Sequence, residues 1–158
     1  MVLSAIVRPN GAPLIQLSTG IYLSYDSNLL SWIRVGESWW ANGSSAWKGR
    51  QRSTTSAGGN GFGTGVIASI EARMAEYANV DNGKMRPNWW DTAMTLGHLE
   101  ARMHAARVLE SPQEYRQALL LYTKTIADEG FRGKAEELLK DLYGPIYWWV
   151  SDLQRARK

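Results

Sequence analysis

The apolar residues of this 158-residue chain change their spacing once, near Gly65, and that change limits what each part can fold into. Before it they come in short runs. Val2, Leu3, Ile6 and Val7 precede Pro9-Asn10-Gly11, and Leu14, Ile15 and Leu17 precede Thr19-Gly20. Ile21, Tyr22, Leu23 and Tyr25 precede Asp26-Ser27-Asn28, and Trp32 to Val35 makes a fourth run. Short runs bounded by Gly, Pro, Asn and Asp read as β-strands. Four of them predict an antiparallel meander over 1–35, the size of one propeller blade. A sheet this small is marginal until its apolar face is covered.

After Gly65 the spacing is that of helix faces. Ile67, Ile70, Met74 and Tyr77 form one stripe, ended by Asp81-Asn82-Gly83; Leu96, Leu99, Met103 and Ala106 form the next. Asp91 or Thr92 is a plausible N-cap for that second helix. Ser111-Pro112-Gln113-Glu114 then has the pattern of a capping box: serine at N-cap, proline at N1 and glutamate at N3. Tyr115, Leu119, Tyr122 and Ile126 make the stripe of the helix that follows, with Gly130 as its left-handed stop. A further helix from about Arg132 to Tyr143 is expected to bury Ala135, Leu138, Leu139 and Leu142, and Gly144-Pro145 terminates it. Residues 146–158 read as a last helix with a basic end. The fold class is therefore α+β, with a short blade-like meander followed by a bundle of about five α-helices over 66–158.

Between these parts, 36–65 carries aromatic and basic residues and then a Gly/Ser-rich tract, Ser53 to Gly61, which reads as a flexible loop. Charge is uneven in the same sense. Five basic and two acidic residues precede Val66, against thirteen of each from Val66 on, so the net +3 arises entirely in the first part. The stretch from Trp39 through Trp47 to Arg52 interleaves tryptophan with Lys48, Arg50 and Arg52 and could stack single-stranded nucleic acid. The preferred reading is that its tryptophans pin the segment to the core while the cations face water.

Chemistry has few places to reside. Cysteine is absent, which removes disulfides and thiolate metal sites and fits a reducing compartment. The alternating Gly59, Gly61, Gly63 and Gly65 match neither the dinucleotide nor the P-loop spacing. His98 and His104 are six apart and diverge on a helix, so each is expected at the surface or in a groove; Glu136 and Glu137 read as a solvated face. No apolar run reaches the roughly 18 residues of a membrane span, and the start does not read as a signal peptide. No catalytic, cofactor or metal residue is assigned, and no membrane or small-molecule partner is expected. The unusual entry is eight tryptophans, six of them in the pairs Trp39-Trp40, Trp89-Trp90 and Trp148-Trp149. Adjacent residues cannot both face one core, so these six are candidate protein-interface positions, with Ser111, Glu114, Gly130 and Gly144 as structural caps.

Two stretches carry a family likeness. Gly11 to Tyr25 followed by Leu30-Ser31-Trp32 resembles the strand segment of the carboxyl-terminal domain of HIRA-type histone chaperone subunits. Thr95-Leu96, Leu99-Glu100, Ala105-Ala106, Ser111 to Arg116, Leu120 to Tyr122, Glu129 to Phe131 and Leu138 to Pro145 resemble that domain's helical module, and Ser38 to Gly43 is similar to fungal members. The resemblance implies a nuclear complex that assembles nucleosomes independently of replication and represses transcription. It implies a non-enzymatic scaffold that self-associates, to a trimer in the family, and docks other subunits of the complex, with histone contact indirect. It also implies a WD-repeat propeller, a linker and blade strands ahead of Met1 that this chain does not contain.

Overall fold

Turn chemistry closes the predicted hairpins. Four strands, β1 (Val2–Val7), β2 (Pro13–Leu17), β3 (Tyr22–Asp26) and β4 (Ser31–Gly36), form an antiparallel sheet in the order of the chain. Between β1 and β2 the Arg8 amide donates to the Ala12 carbonyl, and the Asn10 side chain accepts from the Ala12 amide. Between β3 and β4 the Asp26 carboxylate accepts from the Asn28 and Leu29 amides, a local bond that favours a turn over further strand. The computed structural model describes residues 1–47, 65–78 and 86–144. The Ser53 to Gly61 tract and 146–158, expected as a loop and a helix, lie outside them.

Register sorts the sheet into two faces. Ile6 pairs with Leu14, Leu14 with Ser24 and Ser24 with Ile33, so these residues share one face. Leu14, Tyr22, Ser24 and Val35 on that inner side are buried. The outer face carries Val7, Ala5, Ile15, Leu23, Tyr25, Trp32 and Arg34.

A 3₁₀ turn at Trp39–Asn42 leads to a helical stretch at Ser45, and the α-helices follow: α1 (Val66–Ala75), α2 (Trp90–Val108), α3 (Pro112–Asp128) and α4 (Arg132–Tyr143). The architecture is α+β, a four-stranded antiparallel sheet and then helices. Two compact units are present, Met1–Leu121 and Tyr122–Lys158.

In the first unit the inner sheet face, the aromatic turn and the helices enclose one core of Leu14, Tyr22, Val35, Trp40, Trp47, Ile67, Ile70, Met74, Ala105, Ala106 and Leu109. Helix α2 ends in a Schellman motif, with the Ser111 amide donating to the Ala106 carbonyl and Glu110 held at φ +50° although it is not glycine. The β1–β2 turn fastens onto this end. Arg8 donates to the Leu109 carbonyl, a cation at the negative pole of a helix, and the Asn10 amide donates to the Glu110 carboxylate at 2.8 Å.

In the second unit the Phe131 amide donates to the Ile126 carbonyl across Gly130 at φ +69°, and α4 begins directly. Helix α4 departs from expectation because none of its residues is buried, and Leu139 and Leu142 are 46% and 47% exposed. Its apolar stripe exists but is not sealed, with Ala135 and Leu138 half-buried.

Gly65 joins the two sequence periods. It has φ +150°, and a Cβ there would lie 2.3 Å from the Glu114 carboxyl carbon. Gly65→Ala should therefore destabilise the chain by roughly 1–3 kcal/mol through backbone strain alone, read as a lower midpoint in urea unfolding.

Candidate functional site

The residues with the most chemistry lie inside the first unit, on a stripe that helix geometry defines. On α2, Thr95, His98 and Arg102 fall three and four apart and share one side. On α1, Glu71 lies in the same stripe as Ile67, Ile70 and Met74. All four polar residues are at most 3% exposed, which is tolerable only when each finds a partner.

They find one another. The Glu71 carboxylate accepts from Arg102 at 2.8 Å through one oxygen and from His98 Nε2 at 2.9 Å through the other. Because a carboxylate only accepts, Nε2 carries the hydrogen. Nδ1 of His98 meets the Ser44 hydroxyl at 2.7 Å, and the Trp40 ring stacks on the imidazole, 4.2 Å between centroids and 11° from parallel. Trp47 meets Trp40 edge-on at 5.0 Å. Thr95 accepts from the Ser45 amide at 2.9 Å and donates to the Asp91 carbonyl. Thus the aromatic segment is pinned to α2 by polar bonds as well as by its rings.

Arg102 also faces a second carboxylate, that of Glu114, at 3.7 Å. Glu114 caps a helix, but a different one from that expected. Its oxygens accept from the Ile67 and Ala68 amides at 3.2 and 3.0 Å, two first-turn donors of α1, which has no side-chain cap of its own. The Ser111 hydroxyl donates to Glu114 at 2.8 Å, while the Ser111 amide is engaged by Ala106. A box closed on its own helix end would use that amide; Ala106 takes it, so Glu114 serves α1.

A serine, a histidine and a carboxylate in sequence are also the parts of a nucleophilic relay. A relay needs its hydroxyl within reach of a substrate. Ser44 is 0% exposed, and it does not line the nearby cleft of about 100 Å³ that Trp39, Met74, His98 and Arg102 help to wall. The arrangement joins elements: it ties the aromatic turn to α2, α2 to α1, and α1 to the start of α3. Among the described residues no group of three His, Cys, Asp or Glu side chains could hold a metal.

The six tryptophans are placed unequally. Trp39 is 43% exposed and its ring edge lies over Gly97, whereas Trp40 is 2% exposed and belongs to the core. Trp89 is 64% exposed; Trp90 is half-buried beneath the Arg86 guanidinium, 6.0 Å from the ring centre. Trp148 and Trp149 lie outside the described residues, as do Lys48, Arg50 and Arg52. Gly144 has φ +74° at the end of α4. His104 is exposed as expected, while His98 is buried because Glu71 and Ser44 satisfy both of its nitrogens. The spacing of charged residues within apolar stripes at Glu71 and Arg102 was the available signal for the cluster.

This fold and cluster define an α+β protein whose buried charges join its elements and whose outer sheet face carries exposed apolar side chains. The family model described as Hira, TUP1-like enhancer of split, matches residues 1–142. Protein HIR1 of Mycosarcoma maydis is 33% identical over 176 positions, covering 97% of this chain and 17% of that protein. The histone transcription regulator slm9 of Schizosaccharomyces pombe is 29% identical, covering 89% of this chain and 18% of slm9. The crystal structure of HIRA(644-1017) superposes with a TM-score of 0.68 at 26% identity, over 92% of this chain and 42% of that one. The chain belongs to the Hira family. It spans less than a fifth of the length of these curated relatives.

The cluster yields a direct expectation. Arg102→Ala leaves Glu71 and Glu114 buried without their shared cation and should lower stability by about 3–5 kcal/mol, the usual cost of breaking a buried ion pair from one side. Glu114→Ala should in addition speed hydrogen exchange at the Ile67 and Ala68 amides beyond the global change.

Proposed function

We propose that this chain is a non-enzymatic scaffold module of a nuclear histone-chaperone complex, one that serves replication-independent nucleosome assembly and transcriptional repression. In this reading the sheet of 1–35, the connecting segment 36–65 and the helices of 66–158 hold other subunits of the complex and a second copy of the chain, and histones are contacted through those subunits. Family membership supports the setting. The observation that carries the docking role is the outer sheet face, where Leu3, Val7 and Trp32 are 46%, 74% and 48% exposed beside half-buried Ile15, Leu23 and Tyr25. Apolar residues contiguous over a rigid sheet mark an interface better than scattered ones do.

The competing reading, single-strand binding through 39–52, loses two of its stacking rings, since Trp40 and Trp47 are 2% and 7% exposed. Bases stack on open rings. On the scaffold reading Trp39→Ala leaves any weak, salt-sensitive binding of single-stranded DNA unchanged.

Trp32→Glu and Val7→Glu place charge on the outer face without touching the core. Each should reduce self-association or capture of a partner subunit while leaving the unfolding midpoint within about 0.5 kcal/mol, the usual range for surface changes. Sedimentation and pull-down beside thermal unfolding check this; association unaltered in both variants would remove the outer face from the proposal.

A further inference from the structure

Strand β1 ends the sheet at one edge, and among the described residues no strand lies beyond it. All six of its residues, Val2–Val7, are exposed, and none belongs to the core. The exposure is on both faces. Leu3 and Val7 on the outer side are 46% and 74% exposed, and Ile6 on the inner side is 54% exposed beside buried Leu14. A helix or loop laid on the sheet covers one face, whereas a strand added at the edge flanks both.

The backbone gives the direction of that addition. The Arg8 amide donates to the Ala12 carbonyl, and opposed residues in an antiparallel ladder alternate between bonded and non-bonded pairs. Ile6 with Leu14 and Ser4 with Gln16 are therefore bonded pairs, while Ala5 with Ile15 and Val7 with Pro13 are not. Proline has no amide to offer at that place. The N–H and C=O groups of Ala5 and Val7 thus point away from β2, a row whose complement is another extended backbone. Sheet edges are commonly guarded by charge, proline or shortness. This edge, Val-Leu-Ser-Ala-Ile-Val, has none of these over its six residues.

The same strand in a second copy fits it. In the antiparallel register centred on Ala5 the outward groups meet, and Ala5 faces its own copy. Val7 then faces Leu3 of the copy on the outer side, and Ile6 faces Ser4 on the inner side. The irregularity between Val2 and Ser4 stays at the ends of the overlap. No charged residue meets its like, and the residue at the axis is small.

We propose that two copies of this chain join edge to edge through β1 into one continuous antiparallel sheet, with Ala5 on the two-fold axis. The proposal rests on the scaffold reading for self-association itself and assigns the strand and the register that carry it.

The test places charge on the axis. Ala5 is exposed, so Ala5→Lys and Ala5→Glu leave the core untouched. In sedimentation equilibrium the full 158-residue chain should double in mass as its concentration rises. Each variant should associate roughly fivefold more weakly, because like charges then stand directly opposite. An equimolar mixture of the two should recover at least the original strength, since opposite charges now face across the axis. Hydrogen exchange gives a second readout: the Ala5 and Val7 amides should gain protection as the mass rises, while the Ile6 amide, bonded within the ladder, should not change. A mixture no stronger than either variant alone, association unmoved by both variants, or a chain that stays monomeric at millimolar concentration would each overturn the proposal. The last of these would leave the edge to an extended segment of another subunit. Association lost in Trp32→Glu but kept in both Ala5 variants would remove the edge and leave the scaffold reading standing.

Discussion

One carboxylate holds the first unit in register. Glu114 accepts from the first turn of α1 and from the Ser111 hydroxyl, and it faces the same guanidinium that Glu71 binds. Its burial is tolerable because the positive end of α1 and Arg102 both offset its charge. Position follows from this. With α1 fixed at its start, Ile67, Ile70 and Met74 meet the inner sheet face, and Glu71 is carried to His98 and Arg102. The aromatic turn is fixed at the last link, where His98 lies between Ser44 and the Trp40 ring.

The cluster divides labour within the domain. Charged side chains are drawn inward to connect elements that also share one apolar core, while other apolar side chains remain on the outer sheet face and along α4. The hydroxyl end of this chain of bonds, at Ser44, is sealed.

Much of the fold was legible because its signals are local. The turns at Pro9 to Gly11 and Asp26 to Asn28, the start of α3 at Pro112 and the stop at Gly130 follow from side chains acting on their own backbone. The polar cluster was not legible, since it depends on which helix faces which. Ser111 and Glu114 have the spacing of a self-contained box, and only the approach of α1 redirects the carboxylate. The six-residue spacing from His104 points His98 to the surface or a groove; Glu71, 27 residues earlier, makes burial tolerable. Adjacency says that Trp39 and Trp40 face different ways but not which faces the core; the 3₁₀ turn makes Trp39 the solvent-facing ring and Trp40 the core ring. The stripe of α4 was legible as a pattern, but a pattern does not state what will cover it.

The cap on α1 comes from 46 residues further along the chain than the amide it serves at Ala68. A growing chain therefore makes α1 well before it makes the group that completes its first turn. A ten-residue helix with two open donors and no partner is too short to persist alone. The inner sheet face, already synthesised, waits with Leu14, Tyr22 and Val35 uncovered until α2 and the beginning of α3 emerge. The native first turn of α1 therefore cannot be completed until Glu114 has been made, and until then the apolar surface it covers stays open, the condition under which a nascent chain is most prone to aggregate.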